Sequence, residues 1–282
     1  MSAQSTMDLD SAIAPPTAGH THTVVFLHAR GDTARNFAHS LAFSPDSQGY
    51  SLTETFPSFR WVFPSSKLRP CASDHGSNRS QWFDLLDLHD LRDGEELQAV
   101  GLKESVQSIR NVLAKEADIL GGLWDRLILM GISQGGATSV HTLLNLDLRP
   151  GETGTSRRLG AFLGFSCWMP LLGRNLADTR AMLGLANVPN HDQALRQTPV
   201  MLQHCADDPL IPVAHGHALR ETLAEFGVIV EWKEYSDGGH WFKSPEGIDD
   251  VVKFIRNKVP GMASAESPSN NSMRTPDVMY LP

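Results

Sequence analysis

The chain predicts an α/β fold, a mostly parallel sheet with helices on both faces. Two observations predict it. Short strand-like apolar runs alternate with helix-like segments along most of the 282 residues, which is the order of a parallel sheet with crossover helices. One apolar run, Leu127 to Met130, passes through Gly131-Ile132-Ser133-Gln134-Gly135 into a helical pattern, a strand–sharp turn–helix unit. The length suits one large domain with tails, big enough to bury a stable core.

In chain order, Met1 to His20 are polar and rich in Ala, Ser and Pro, and read as a disordered lead. Strands are expected at Thr23–His28 and Arg60–Phe63, with a helix over Thr33–Leu41 between them. Ser65 to Gly94 is long and turn-rich, the character of a lid or substrate loop. A helix over Gly101–Ala117 leads to a strand at Arg126–Ile132 and a helix over Gly135–Leu146. A strand at Ala161–Ser166 precedes Pro170 to Thr198, where Gly and Pro interrupt weak helical signals. Then come a strand at Val200–His204, a helix over His215–Phe226 and a strand at Val228–Tyr235. The last helix, Ile248–Asn257, has Ile248, Val251, Val252 and Ile255 at helical spacing. Gly261 to Pro282, rich in Ser, Asn and Pro, reads as a disordered tail. The domain is therefore expected at residues 21–260.

Composition excludes several classes. The formal net charge of −8 argues against nucleic acid, which needs a basic face. No apolar run approaches the roughly 18 residues of a membrane span, and no signal peptide or terminal lipid is expected. Cys71, Cys167 and Cys205 form no dense framework and read as reduced thiols of a cytoplasmic protein. Any membrane contact is expected to be transient. His215 and His217 head a helix near aspartates, but no recognised metal-ligand spacing appears, so no metal is expected.

The strand–turn–helix unit carries the chemistry. In Gly-x-Ser-x-Gly the turn holds Ser133 in a strained conformation above the sheet, and the glycines let strand and helix backbones pass closely. The helix N-terminus favours developing negative charge, and the N–H of Gln134 is one expected oxyanion donor. A serine hydroxyl needs a base, and the base an orienting carboxylate, in the order serine, acid, histidine. The acid candidate is Asp208, just past a strand and before Pro209, with Asp207 as its rival. The base candidate is His240, after Gly238-Gly239 and the last strand; His28, His204, His215 and His217 compete by residue type only. The second oxyanion donor is expected from the loop His28-Ala29-Arg30-Gly31-Asp32.

Five motifs in order resemble the acyl-protein thioesterase/carboxylesterase family of α/β-hydrolases: Phe26-Leu27-His28 with Gly31-Asp32-Thr33, Gln81-Trp82-Phe83-Asp84, Gly131 to Gly136, Asp208-Pro209-Leu210-Ile211-Pro212, and Gly239-His240. The resemblance spans about Thr23 to Lys258. It implies an α/β-hydrolase fold and hydrolysis of a small-molecule or acylated-protein ester or thioester without a cofactor. It implies a catalytic triad of Ser133, Asp208 and His240, an acyl-enzyme intermediate, and Asp208 rather than Asp207. It makes Arg30 the second oxyanion donor, beside Gln134. Trp82, Leu210 and Trp241 are expected walls of the substrate site. A narrower thioesterase or acyltransferase, or a silent binding protein on this fold, are the alternatives.

The chain departs from the family at His28-Ala29-Arg30, where His-Gly-Leu is usual. Ala29 is expected to be strained if that position needs positive φ. The Arg30 guanidinium is expected either to pair with Asp32 or another carboxylate, or to meet a polar substrate group.

Overall fold

The computed structural model describes residues 9–87, 90, 92–148, 158–262 and 279–281. Strands β1 (Ser11–Ala14), β2 (His22–Leu27), β3 (Phe59–Pro64), β4 (Leu68–Cys71), β5 (Ser77–Ser80), β6 (Leu127–Ile132), β7 (Ala161–Phe165), β8 (Val200–Cys205), β9 (Val230–Tyr235) and β10 (Met279–Leu281) are joined by helices α1 (Ala34–Leu41), α2 (Leu52–Thr55), α3 (Glu95–Ile119), α4 (Gln134–Leu144), α5 (Leu176–Leu183), α6 (Gln193–Gln197), α7 (Val213–Glu225) and α8 (Glu246–Lys258). The main sheet has the order β10-β1-β3-β2-β6-β7-β8-β9. From β3 through β9 every neighbour is parallel, while β1 runs antiparallel to β3 and to β10.

Both faces of the sheet are covered, and the strand sequences show why. In β2, Val24 and Phe26 join one core and Val25 and Leu27 the other. In β6, Ile128, Met130 and Ile132 alternate in the same way with Leu127 and Leu129. A strand buried on both sides reads as a continuous apolar run because successive side chains point to opposite faces. Helices α1, α2 and α8 close one face through Phe37, Leu41, Leu52, Val251 and Ile255. Helices α3, α4 and α7 close the other through Val106, Ile109, Val140, Leu143 and Leu219.

The expectations for the lead and the tail are corrected. The lead is not wholly disordered: Ser11–Ala14 is a strand, with Ala12 opposite Phe63 and Ala14 opposite Trp61. Small residues there let the two large rings pack, which a propensity reading of Ser-Ala-Ile-Ala misses. In the tail, Met279–Leu281 pairs with β1 in register with Ser11, Ala12 and Ile13. Residues 1–8, 263–278 and 282 of the expected lead and tail lie outside the described residues. The turn-rich Ser65–Gly94 segment contains the β4–β5 hairpin, and Pro170–Thr198 contains α5 and α6.

Helix α3 starts six residues before the expected Gly101. A glycine in a helix reads as a boundary, but here it marks a close approach: a Cβ on Gly101 would lie 2.7 Å from Phe83 Cα.

Candidate active site

The topology gathers the candidate residues along one edge. Ser133, Asp208 and His240 follow the C-terminal ends of the parallel strands β6, β8 and β9, and the His28–Asp32 loop follows β2.

Ser133 sits between β6 and α4 at φ +54°, ψ −127°, where non-glycine residues are rarely found. Its N–H donates to Phe165 O (2.9 Å), which ties the turn to β7. The glycines around it are there for space. A Cβ on Gly135 would meet Leu27 O at 2.5 Å, and one on Gly136 would meet Cys167 Cβ at 2.6 Å. Gln134 is the first residue of α4, so its N–H has no acceptor within the helix and is available to an oxyanion. Its side chain does a second job that sequence reasoning missed. Oε1 accepts the Trp82 N–H (2.9 Å) and Nε2 donates to Phe83 O (2.7 Å), clamping the Gln81–Asp84 motif beneath the elbow.

Asp208 and His240 are brought together as expected. His240 Nδ1 donates to Asp208 Oδ2 at 2.8 Å, which leaves Nε2 free to act as base. The Asp208 side chain is fully buried. Burial alone would raise its pKa; the hydrogen bonds from His204, His240 and the Ile211 N–H outweigh it and hold the carboxyl well below the usual range. Oδ1 accepts from the Leu210 and Ile211 N–H groups, at 2.9 Å each. Asp207 faces elsewhere: it accepts the Gly238 N–H (3.3 Å) and the Gly239 N–H (2.8 Å), pinning the turn that presents His240. That turn needs its two glycines, which lie at φ +136° and +65°.

Of the competing histidines, His28, His204 and His217 have polar partners, and His215 lines a cavity. His28 Nε2 accepts the Ser66 N–H (3.1 Å) and Nδ1 donates to Ala29 O (2.8 Å); burial lowers its pKa and keeps it neutral. His217 pairs with Glu234 at the surface, 2.7 Å away. His204 lies 3.4 Å from Asp208 Oδ2, a contact that residue type alone did not reveal. No group of three His, Cys, Asp or Glu among the described residues is placed to hold a metal ion. Cys205 is no rival nucleophile, since burial together with Asp207 and Asp208 pushes its thiol up to about 11.

Arg30 answers its question differently from both expectations. Its guanidinium donates to Gln81 Oε1 (3.0 Å), Ser73 Oγ (2.6 Å) and the Cys71 sulfur, all neutral groups of the segment that carries the β4–β5 hairpin. Asp32 instead accepts the Thr33 N–H at 2.8 Å, at the start of α1. Gln81 passes the polarity on, donating through Nε2 to Pro70 O (2.8 Å) and Asp84 Oδ1 (3.2 Å). Ala29 is not at positive φ; the loop places that conformation on Gly31, at +83°. Gly31 N–H also donates to Ser80 O (2.7 Å), so the hairpin is bound to the His28–Asp32 loop by backbone and side chain alike.

Of the expected walls, Trp82 is corrected. It is 1% exposed, and its indole N–H donates to His28 O (2.8 Å), so it braces the loop from beneath. Leu210 is 60% exposed beside the acid and open to a ligand. Trp241 is half-buried, donates to Ser44 Oγ (2.9 Å) and packs edge-on against Phe37. A cavity of about 380 Å³ lies nearby, lined by Trp168, Met169 and Leu172 after β7, His215 and Ala218 of α7, and Asp90 and Arg92.

Comparison with known proteins agrees with this architecture. The family model for phospholipase/carboxylesterase matches residues 9–259. Acyl-protein thioesterase 1 of Gibberella zeae is 32% identical over 250 residues, covering 87% of this chain and 94% of that protein. Acyl-protein thioesterase 1 of Cryptococcus neoformans is 28% identical over 252 residues, 85% of this chain and 93% of that protein. The crystal structure of Zea mays acyl-protein thioesterase 2 superposes with a TM-score of 0.66 at 23% identity, covering 88% of this chain and 98% of that one.

Proposed function

Because the chain belongs to the phospholipase/carboxylesterase family of α/β-hydrolases, and so is a serine hydrolase of carboxylic esters or thioesters, we propose that its reaction is carried by Ser133, His240 and Asp208. The single observation that carries this reading is the pair of geometries at one sheet edge: Ser133 on a strained elbow at the head of α4, and His240 Nδ1 bound to the buried Asp208 carboxylate at 2.8 Å.

The steps follow from these groups. Ser133 Oγ attacks the acyl carbonyl carbon while His240 Nε2 takes its proton. The negative oxygen of the tetrahedral intermediate is held by the N–H of Gln134 and that of Arg30. Collapse expels the alcohol or thiol, which takes the proton back from His240, and leaves Ser133 acylated. Water, activated by His240, then attacks the acyl-serine, and the acid departs as Ser133 recovers its proton. Asp208 fixes the imidazole tautomer and stabilises the imidazolium.

By likeness to the thioesterases of Gibberella and Cryptococcus, the substrate class is an acylated protein or a smaller acyl-thioester or ester. Leu210 and Trp241 flank the acyl group. No helix among the described residues is long and apolar enough to cross a membrane, and contact with lipid is transient in this reading.

The test is a rate comparison across p-nitrophenyl esters and acyl-thioesters of graded chain length, in the absence of added cofactor or metal. Turnover that rises and falls with chain length supports the reading. No hydrolysis of either series sinks it.

A further inference from the structure

We propose that His204 is a positioning residue of the triad: a second imidazole bound to the carboxylate oxygen that His240 uses. Asp208 Oδ2 accepts from His240 Nδ1 at 2.8 Å and lies 3.4 Å from His204 Nε2. His204 Nε2 is also 2.7 Å from Ile211 O. A carbonyl only accepts, so Nε2 carries a proton and shares it between the Ile211 carbonyl and the carboxylate. With the Leu210 and Ile211 N–H groups on Oδ1, the acid is held from four directions, and both the His204 and Asp208 side chains are almost wholly shut from solvent.

A second observation shows that the fold makes room for this ring. His204 is at the end of β8, beneath α7, and Gly216 of α7 lies over it. A Cβ at position 216 would come 2.5 Å from His204 Nδ1 and 2.7 Å from the Trp232 ring. Glycine inside a helix is less favourable than alanine. Here that glycine admits the imidazole. Trp232 of β9 packs near it, with ring centroids 6.4 Å apart. The titratable groups facing His204 are Asp208 from the acid loop, His215 from α7 and Glu234 from β9.

The contact has two consequences. It keeps the carboxylate from rotating its Oδ2 lone pair away from His240. It also fixes the direction from which Oδ2 meets the His240 N–H, and so the orientation of that ring. Removing the His204 donor therefore lowers kcat by loosening the pair that holds the base.

The inference rests on the proposed triad, and three variants test it: His204→Leu, which has no donor, His204→Asn, whose amide is too short to reach, and His204→Gln, whose Nε2 takes the place of the ring Nε2. Each is assayed for kcat and KM on a p-nitrophenyl ester. The expected result is a fall in kcat of about tenfold or more in H204L, the scale of one hydrogen bond to a charged group, with KM little changed. H204Q recovers most of the lost kcat. Should H204L not fold, H204N takes its place with the same expectation. An H204L or H204N protein with wild-type kcat overturns the proposal. So does an H204Q protein as slow as H204L, since packing alone would then explain the loss. Failure of the triad reading looks different: the wild-type protein itself shows no turnover.

Discussion

Asp207 and Asp208 are adjacent in the chain, yet one pins the turn that carries His240 and the other holds its imidazole. Asp208→Asn cannot hold the Nδ1–H tautomer, and kcat/KM for an ester is expected to fall by about 10⁴. Asp207→Asn keeps one oxygen for the glycine N–H groups, and the same measurement is expected to show a loss of about tenfold or less. The reverse ranking would move the acid one residue upstream. Arg30 is the other residue where the structure decides. Its guanidinium is engaged by Gln81, Ser73 and Cys71, so it braces the hairpin to the His28–Asp32 loop. Arg30→Leu is therefore expected to lower kcat/KM by the same factor for a neutral alkyl ester and for one bearing a free carboxylate. A loss confined to the carboxylate ester would return the guanidinium to the substrate.

At the scale of elements, the parallel strands and main helices were legible because their signals are local: apolar runs in β2, β6 and β8, and Ile248, Val251 and Ile255 at helical spacing in α8. The elbow and the two later motifs were legible for the same reason. What escaped was decided by tertiary contact. Strand β1 is four residues of weak propensity that exist because Trp61 and Phe63 need cover. The start of α3 was hidden by Gly101, whose reason is the Phe83 backbone lying against it. His204 could be noticed as a histidine, but only the fold of the acid loop places Asp208 upon it. Deleting residues 1–14 removes β1 and bares the edge of β3, so the urea midpoint of unfolding is expected to drop well below that of the full chain. An unchanged midpoint would show that the edge needs no cover.

For the whole molecule, acid stability follows from buried groups. Burial lowers His22 and His141 from 6.5 to about 4, and His28 in the same direction. These folded-state values lie below those of the unfolded chain. As pH falls from 6.5 towards 4 the unfolded chain binds protons that the folded chain refuses, and stability is lost across that window. Asp208 adds to the loss at lower pH: its contribution is full above the ordinary carboxylate range and is lost progressively as pH falls below that range towards its depressed folded-state pKa. Urea unfolding at a series of pH values is expected to show the midpoint falling steadily below about pH 6.5. A midpoint flat down to pH 4 would contradict neutral, buried histidines. The central claim, that this sheet edge arms Ser133 as a nucleophile, is tested most directly by intact mass after exposure to a fluorophosphonate. One phosphonyl adduct per chain is expected, mapped to Ser133, and none on a folded Ser133→Ala protein, which also loses nearly all turnover. An adduct on another residue, or an S133A protein that hydrolyses esters at the wild-type rate, would contradict it.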